Sequence, residues 1–202
     1  MNSKGRFISI FCLMMLGSFA LVGLKVSGPD MRETGLHYFE ALNLSDLTVI
    51  GDYGIDETNQ KAIDQLSGTK KIEYGYLKDV EIKNTTDSIR LFSNPETISK
   101  YELTAGKNTE KENEIVLSDT YKDQYKIGDT IKVTEKESNG IKVLKKHSFK
   151  IVGFAKSSEF LSSINMGQST SGTGELKGYG FVNNAVFDSD FYMIARVTFR
   201  DT

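Results

Sequence analysis

Lys70-Lys71-Ile72-Glu73-Tyr74-Gly75-Tyr76-Leu77-Lys78-Asp79-Val80-Glu81-Ile82 is where the chain settles into a period of two. Ile72, Tyr74 and Tyr76 alternate with Lys71, Glu73 and Gly75; Val80 and Ile82 then alternate with Asp79, Glu81 and Lys83. Side chains two apart share one face of a strand, so this spacing predicts strands with one face inward and one face wet. Ile89 and Leu91 carry the pattern on after a turn at Asn84-Thr85, and Asn94-Pro95 breaks it.

Downstream, residues 101–128 read as short and polar, with a turn at Ala105-Gly106-Lys107 and a strand over 114–117. A helical turn follows over 118–125, capped by Ser118. Ile131-Lys132-Val133 and Ile141-Lys142-Val143 flank Asn139-Gly140, the strongest short hairpin signal in the chain. A strand over 149–154, a Ser- and Gly-rich loop over 157–180 and a last strand over 191–199 complete the body. Upstream, Leu47-Thr48-Val49-Ile50 is β-prone and closed by Gly51 and Gly54. Residues 56–66 form a helix with Ala62, Ile63 and Leu66 on its apolar face, ended at Gly68.

The first segment is of another kind. Phe7-Ile8-Ser9-Ile10-Phe11-Cys12-Leu13-Met14-Met15-Leu16-Gly17-Ser18-Phe19-Ala20-Leu21-Val22-Gly23-Leu24 carries no charge. At about 1.5 Å per residue it reaches roughly 27 Å, close to a hydrocarbon core. Lys4 and Arg6 lie on its short side, which predicts a cytoplasmic N-terminus and an exported body, with Lys25 snorkelling at the far edge. Ser18-Phe19-Ala20 has the form of a signal-peptide cleavage site. The apolar run continues past it through Leu21, Val22 and Leu24, which favours a retained anchor; both readings export the body. Cys12 comes too early, and follows too bulky a residue, for lipid attachment. Ser27-Gly28-Pro29-Asp30 starts a stalk helix with Leu36, Phe39, Ala41 and Leu42 as a loose stripe and a kink expected at Gly28-Pro29. The expected division is a cytoplasmic end and transmembrane helix over 1–27 and an extracytoplasmic core domain over 28–202. The fold class is α+β: a transmembrane helix running into a stalk, then a mixed α/β core with a strand-rich, hairpin-containing lobe inserted between two pieces of sheet and helix.

Composition narrows the function. With 25 basic and 27 acidic residues well mixed, no basic stripe exists to track nucleic acid. The single cysteine is Cys12, which leaves the body neither a disulfide nor a thiolate ligand. His37 and His147 are the only histidines, and both read as surface groups. No Gly-x-Ser-x-Gly elbow accompanies the serines at 157, 158, 162, 163, 169 and 171. Gly167-Gln168-Ser169-Thr170-Ser171-Gly172-Thr173-Gly174 lacks the lysine of a phosphate loop and reads as a mobile loop. Asp188 with Asp190, and Glu110, Glu112 and Glu114, are acidic sets expected from composition alone, the latter on a solvated edge. Tyr74, Tyr76, Tyr121 and Tyr125 suit a sugar- or peptide-binding surface and suit half-buried core positions equally well. The residues therefore predict no catalytic group, no metal site and no cofactor.

Lys4-Gly5-Arg6-Phe7-Ile8-Ser9-Ile10, the apolar span and Gly23-Leu24-Lys25-Val26-Ser27-Gly28-Pro29-Asp30-Met31 resemble the first membrane helix and stalk of FtsX-like ABC transporter permeases. Gly106-Lys107, Asn113-Glu114-Ile115-Val116-Leu117-Ser118, Tyr125-Lys126-Ile127-Gly128-Asp129-Thr130-Ile131 and Phe149-Lys150-Ile151-Val152-Gly153-Phe154 are similar to the MacB-like periplasmic core domain of the same family. Asn108 is not followed by the proline often found there.

The resemblance implies a non-catalytic permease part serving mechanotransmission, with ATP hydrolysed by a separate ABC ATPase subunit. It also implies further permease helices as partners, contact with membrane lipid, and transport of a lipid, lipoprotein or peptide. Since no second apolar run occurs, the resemblance leads one to expect the N-terminal fragment of such a permease. The alternative is a stand-alone anchored or secreted binding module that uses the tyrosines and the 157–180 loop.

Overall fold

The computed structural model describes residues 3–136, 142–162 and 164–200. The chain divides into two units, 1–41 and 42–202.

The first unit is one helix, α1 (Ser3–Ala41), with Pro29 inside it. Its most apolar window has a mean hydropathy of 2.4 and none of that window is buried. Phe19 and Leu24 are about four-fifths exposed, and the large apolar residues are bare all round the helix. A helix apolar on every side is stable in lipid and not in water. This length and composition are those of a membrane span, and an export signal shares them. Ser9, Ser27 and Thr34 each return their hydroxyl to the carbonyl four residues back, which satisfies them inside the helix.

The second unit holds everything else. Its strands are β1 (Leu47–Ile55), β2 (Thr69–Gly75), β3 (Leu77–Ile82), β4 (Ser88–Ser93) and β5 (Tyr101–Gly106). They continue as β6 (Glu114–Ser118), β7 (Thr130–Glu135), β8 (Ser148–Ser157), β9 (Leu176–Val182) and β10 (Tyr192–Phe199). The short helix α2 (Glu57–Asp64) starts at Asp56, whose carboxylate accepts from Asn59 N at 2.7 Å.

Three strands form a small antiparallel sheet in the order β1-β10-β2. The other seven run β5-β8-β6-β9-β4-β3-β7, and β7 also pairs with β8. That extra pairing closes six of them into a barrel, with β5 attached along the second half of β8. Since β10 returns to lie between β1 and β2, residues 77–182 are an insertion within the small sheet, as the sequence predicts for its strand-rich lobe.

Burial follows from this closure. Val80, Ile82, Leu91, Ile115, Leu117, Ile131, Val133, Phe149 and Ile151 fill the barrel. Phe92, Val116, Val152, Tyr179 and Phe181 point out of the wall and pack with Ile194 of the small sheet. β6 is therefore buried at every position, whereas β7 alternates strictly between exposed and buried. The other face of the small sheet packs Ala195 and Val197 with Ile63 of α2.

Several expectations change. The turn at Asn139-Gly140 lies outside the described residues, but its second arm is not a strand: Lys142 and Val143 are irregular, and β7 pairs instead with Ser148 to Lys150. Val143 N and Leu144 N donate to Glu135 at 2.8 and 3.1 Å, so a buried carboxylate does the work of a ladder. β5 and β9 were hidden by polar and glycine-rich composition, and the loop after β8 ends at Leu176 rather than at 180. The helix is continuous through Gly28-Pro29, as expected of a membrane helix that runs on into a stalk.

Candidate functional site

Four rings meet where β2 hands over to β3. Tyr74 stacks on Tyr192 with centroids 5.3 Å apart, Tyr192 meets Tyr76 at 5.3 Å, and Tyr76 stacks on Phe187 at 5.3 Å. Tyr74 and Tyr76 share a face because they are two apart on an extended chain, and Tyr192 reaches them from the neighbouring strand β10. The Tyr74 hydroxyl donates to Asp64 of α2 at 2.8 Å. Burial, then the Asp64 carboxylate, raises the Tyr74 phenol above its ordinary value; burial, then Tyr192 and Asp190, raises Tyr76. Both stay protonated at neutral pH and offer hydroxyls and half-covered ring faces, not a base.

Tyr121 and Tyr125 are a separate pair, centroids 6.1 Å apart. Tyr121 is buried beside Gly178, and its hydroxyl has no hydrogen-bond partner among the described residues. The structure thus brings Tyr74 and Tyr76 into one half-buried ladder with Tyr192 and Phe187, and puts Tyr121 in the core. The two added rings sit far along the chain, and no local pattern pairs them with 74 and 76.

The other expected groups disperse. His147 lies 3.4 Å from the Glu135 carboxylate, which also meets Lys78 at 3.5 Å. His37 stands between Glu33 and Glu40 at 3.8 and 4.0 Å, acids four residues before and three after it on the helix. Asp188 pairs with Lys145, Glu110 with Lys107 and Glu112 with Lys146. Glu114, expected on a solvated edge, is buried and accepts from Glu110 N and Lys111 N. Among the described residues, no three His, Cys, Asp or Glu side chains come together to hold a metal.

The glycine-rich stretch 167–174 is tied down, contrary to the expected mobile loop. Thr170 N donates to Asp79 at 2.9 Å, Gly172 N to Glu81 at 2.8 Å, and Ser88 Oγ to Ser171 O at 2.8 Å. Asp79 also holds Arg90 through two bonds of 2.6 and 2.9 Å. Burial opposes the charge on Asp79, but Arg90 and the amide outweigh it and hold the carboxyl below its usual range. Upstream of this stretch, Leu161 and Ile164 are large apolar side chains left in the open, the latter 94% exposed.

One further polar contact joins the layers. Arg196 of β10 is 1% exposed, makes two bonds to Glu159 at 2.7 and 3.1 Å and lies 5.4 Å from the Phe92 ring centroid. Nearby, Gly75 leaves room for Ser93, since a Cβ there would come within 2.8 Å of Ser93 Oγ. Sequence patterning marks Arg196 only as a charge interrupting an apolar strand.

No model of a protein family matches the chain, and no curated protein matches it. Among solved structures it is similar to the extracellular domain of the noncanonic ABC-type transporter YknZ from Gram-positive bacteria, at 11% identity and a TM-score of 0.43. The match covers 77% of this chain and 85% of that one. At that identity and score the likeness carries nothing about activity.

Proposed function

We propose that this chain is the first membrane helix and outer domain of an FtsX-like ABC permease. On this reading Phe7 to Leu24 cross the membrane with the N-terminus in the cytoplasm, and residues 28–202 work outside. The domain couples helix motion, driven by a separate ATPase subunit, to the handling of a lipid, lipoprotein or peptide.

The observation that carries the reading is the single unbroken helix Ser3–Ala41. Its apolar part ends at Leu24, so the helix continues for roughly 25 Å beyond a hydrocarbon core. A tether needs no such extension, whereas a lever does. Pro29 removes the hydrogen bond to the Lys25 carbonyl, a local weak point in an otherwise stiff rod. Of the stretches that carry the family resemblance, 113–118, 125–131 and 149–154 fall on β6, the turn into β7 with its start, and β8, three strands of one barrel.

Cys12 is the only native cysteine. In a Cys12→Ser background, Ser189→Cys should react in intact cells with a membrane-impermeant maleimide; labelling only after lysis sinks the proposed orientation. In the complete transporter, Gly28→Ala with Pro29→Ala should leave ATP turnover in place and reduce transport. Unchanged transport removes the hinge that Pro29 would give this lever.

The half-exposed tyrosine ladder favours a second reading, an anchored binding module. Co-purification decides between them: an ABC ATPase retained with the detergent-extracted chain supports the first, and its absence the second.

A further inference from the structure

The lead-in segment 42–45 is zipped onto the turn between β4 and β5. Lys100 N donates to Leu42 O at 2.9 Å, Ser99 N to Asn43 O at 2.7 Å, Asn43 Nδ2 to Thr97 O at 2.7 Å and Ser45 N to Ser99 Oγ at 3.1 Å. Two of these residues sit in the left-handed region, Asn43 at φ +50° and Ser99 at φ +52°. Ser99 is 1% exposed. A buried serine persists in that conformation only where its surroundings over-determine it.

Glu73 of β2 supplies much of that determination. Its carboxylate accepts from Glu96 N at 2.7 Å, Thr97 N and Thr97 Oγ at 2.8 Å, and Ile98 N at 2.9 Å. Four donors converge on one side chain from the turn that clamps the lead-in. On the sheet, Glu73 is paired with Arg196, whose guanidinium reaches Glu159 and Phe92 beyond the barrel wall. Glu73 and Arg196 are backbone partners on β2 and β10, so the turn that clamps the lead-in is anchored on the small sheet beside the residue that ties that sheet to the barrel.

We propose that Glu73 is a latch: it holds the 96–99 turn in the shape that clamps 42–45, so that the lead-in is a rigid part of both sheet and barrel. Without it, the lead-in hangs mainly on Asp46, whose N donates to Val197 O and whose carboxylate accepts from Phe199 N. A load arriving from Ala41 would then pass through β1 and β10 alone. The source of that load rests on the permease reading; the latch itself does not.

Hydrogen exchange of the full chain in detergent tests it. In Glu73→Ala, the amides of Ser45, Ser99 and Lys100 should exchange roughly tenfold faster or more, the loss expected for charge-assisted bonds. Amides of β8 and β9 should keep their protection. Unchanged exchange at 45, 99 and 100 overturns the latch. If β8 and β9 also lose protection in that variant, Thr97→Val, which removes one of the four bonds, is read in its place; it should show the same pattern at smaller size, and no change there overturns the proposal. In the complete transporter, a working latch predicts that Glu73→Ala lowers transport per ATP hydrolysed. Faster exchange at 45, 99 and 100 in a chain that retains no ATPase keeps the latch and removes the permease reading.

Discussion

At the scale of the residue, buried charge decides more than any aromatic. Arg196 sits among Phe92, Ile194 and Glu159 with its guanidinium out of water, and removing one partner of such a pair leaves the other charge buried and bare. Arg196→Ala should cost about 3–5 kcal/mol in urea unfolding. Asp79 makes a pH prediction. Its folded pKa is lowered, so its contribution to stability is complete above the unfolded value of about 3.9 and is lost as pH falls through the folded one. Asp79→Asn should lower the urea midpoint at pH 7 and leave it nearly unchanged at acid pH, where the native chain has already lost this term. An equal loss at both pH values would mean that the charge on Asp79 is not what holds Arg90 and the 170 turn.

At the scale of the element, β5 and α2 offer the sharpest tests. Gly106 ends β5 at φ +82°, and a Cβ there would lie 2.6 Å from the Gly153 backbone. Neither the angle nor the contact can relax cheaply, so Gly106→Ala should cost about 2 kcal/mol or more. Thermal unfolding checks this, with loss of exchange protection concentrated in β5. Asp56→Ala should cost about 1 kcal/mol by leaving the α2 amides uncapped. Because α2 is only eight residues long, its loss should show first as exposure of Ile63 and the Tyr74–Asp64 bond.

At the scale of the molecule, the buried apolar clusters among the described residues are drawn from the second unit. Removing residues 1–41 should therefore give a water-soluble body whose cooperative unfolding midpoint lies close to that of the full chain in detergent. Aggregation of that body, with exposed hydrophobic dye-binding surface, would show that the helix completes a core.

Local chemistry settled a good share of this protein. A long charge-free run of Phe, Ile, Leu and Met favours a helix apolar on all sides, and the alternation at 72–76 and 80–82 favours strand, so both are legible without tertiary information. The short helix near 56–66 and the turn at Gly106 follow from the same local rules. What pairs with what does not. β7 and β8 close the barrel through residues whose alternation fits several partners, and β9 hides in Leu176-Lys177-Gly178-Tyr179-Gly180 because its glycines serve close packing, not turning. The tyrosine ladder was half legible: Tyr74 and Tyr76 announce a shared face, while Tyr192 and Phe187 arrive from more than a hundred residues away. Arg196 and Glu73 acquire their roles only from partners outside their own sheet, whereas Asp79 meets Arg90 on the neighbouring strand and the 170 turn from far along the chain. A charge in a strand pattern reads as surface until the fold supplies the group that lets it be buried.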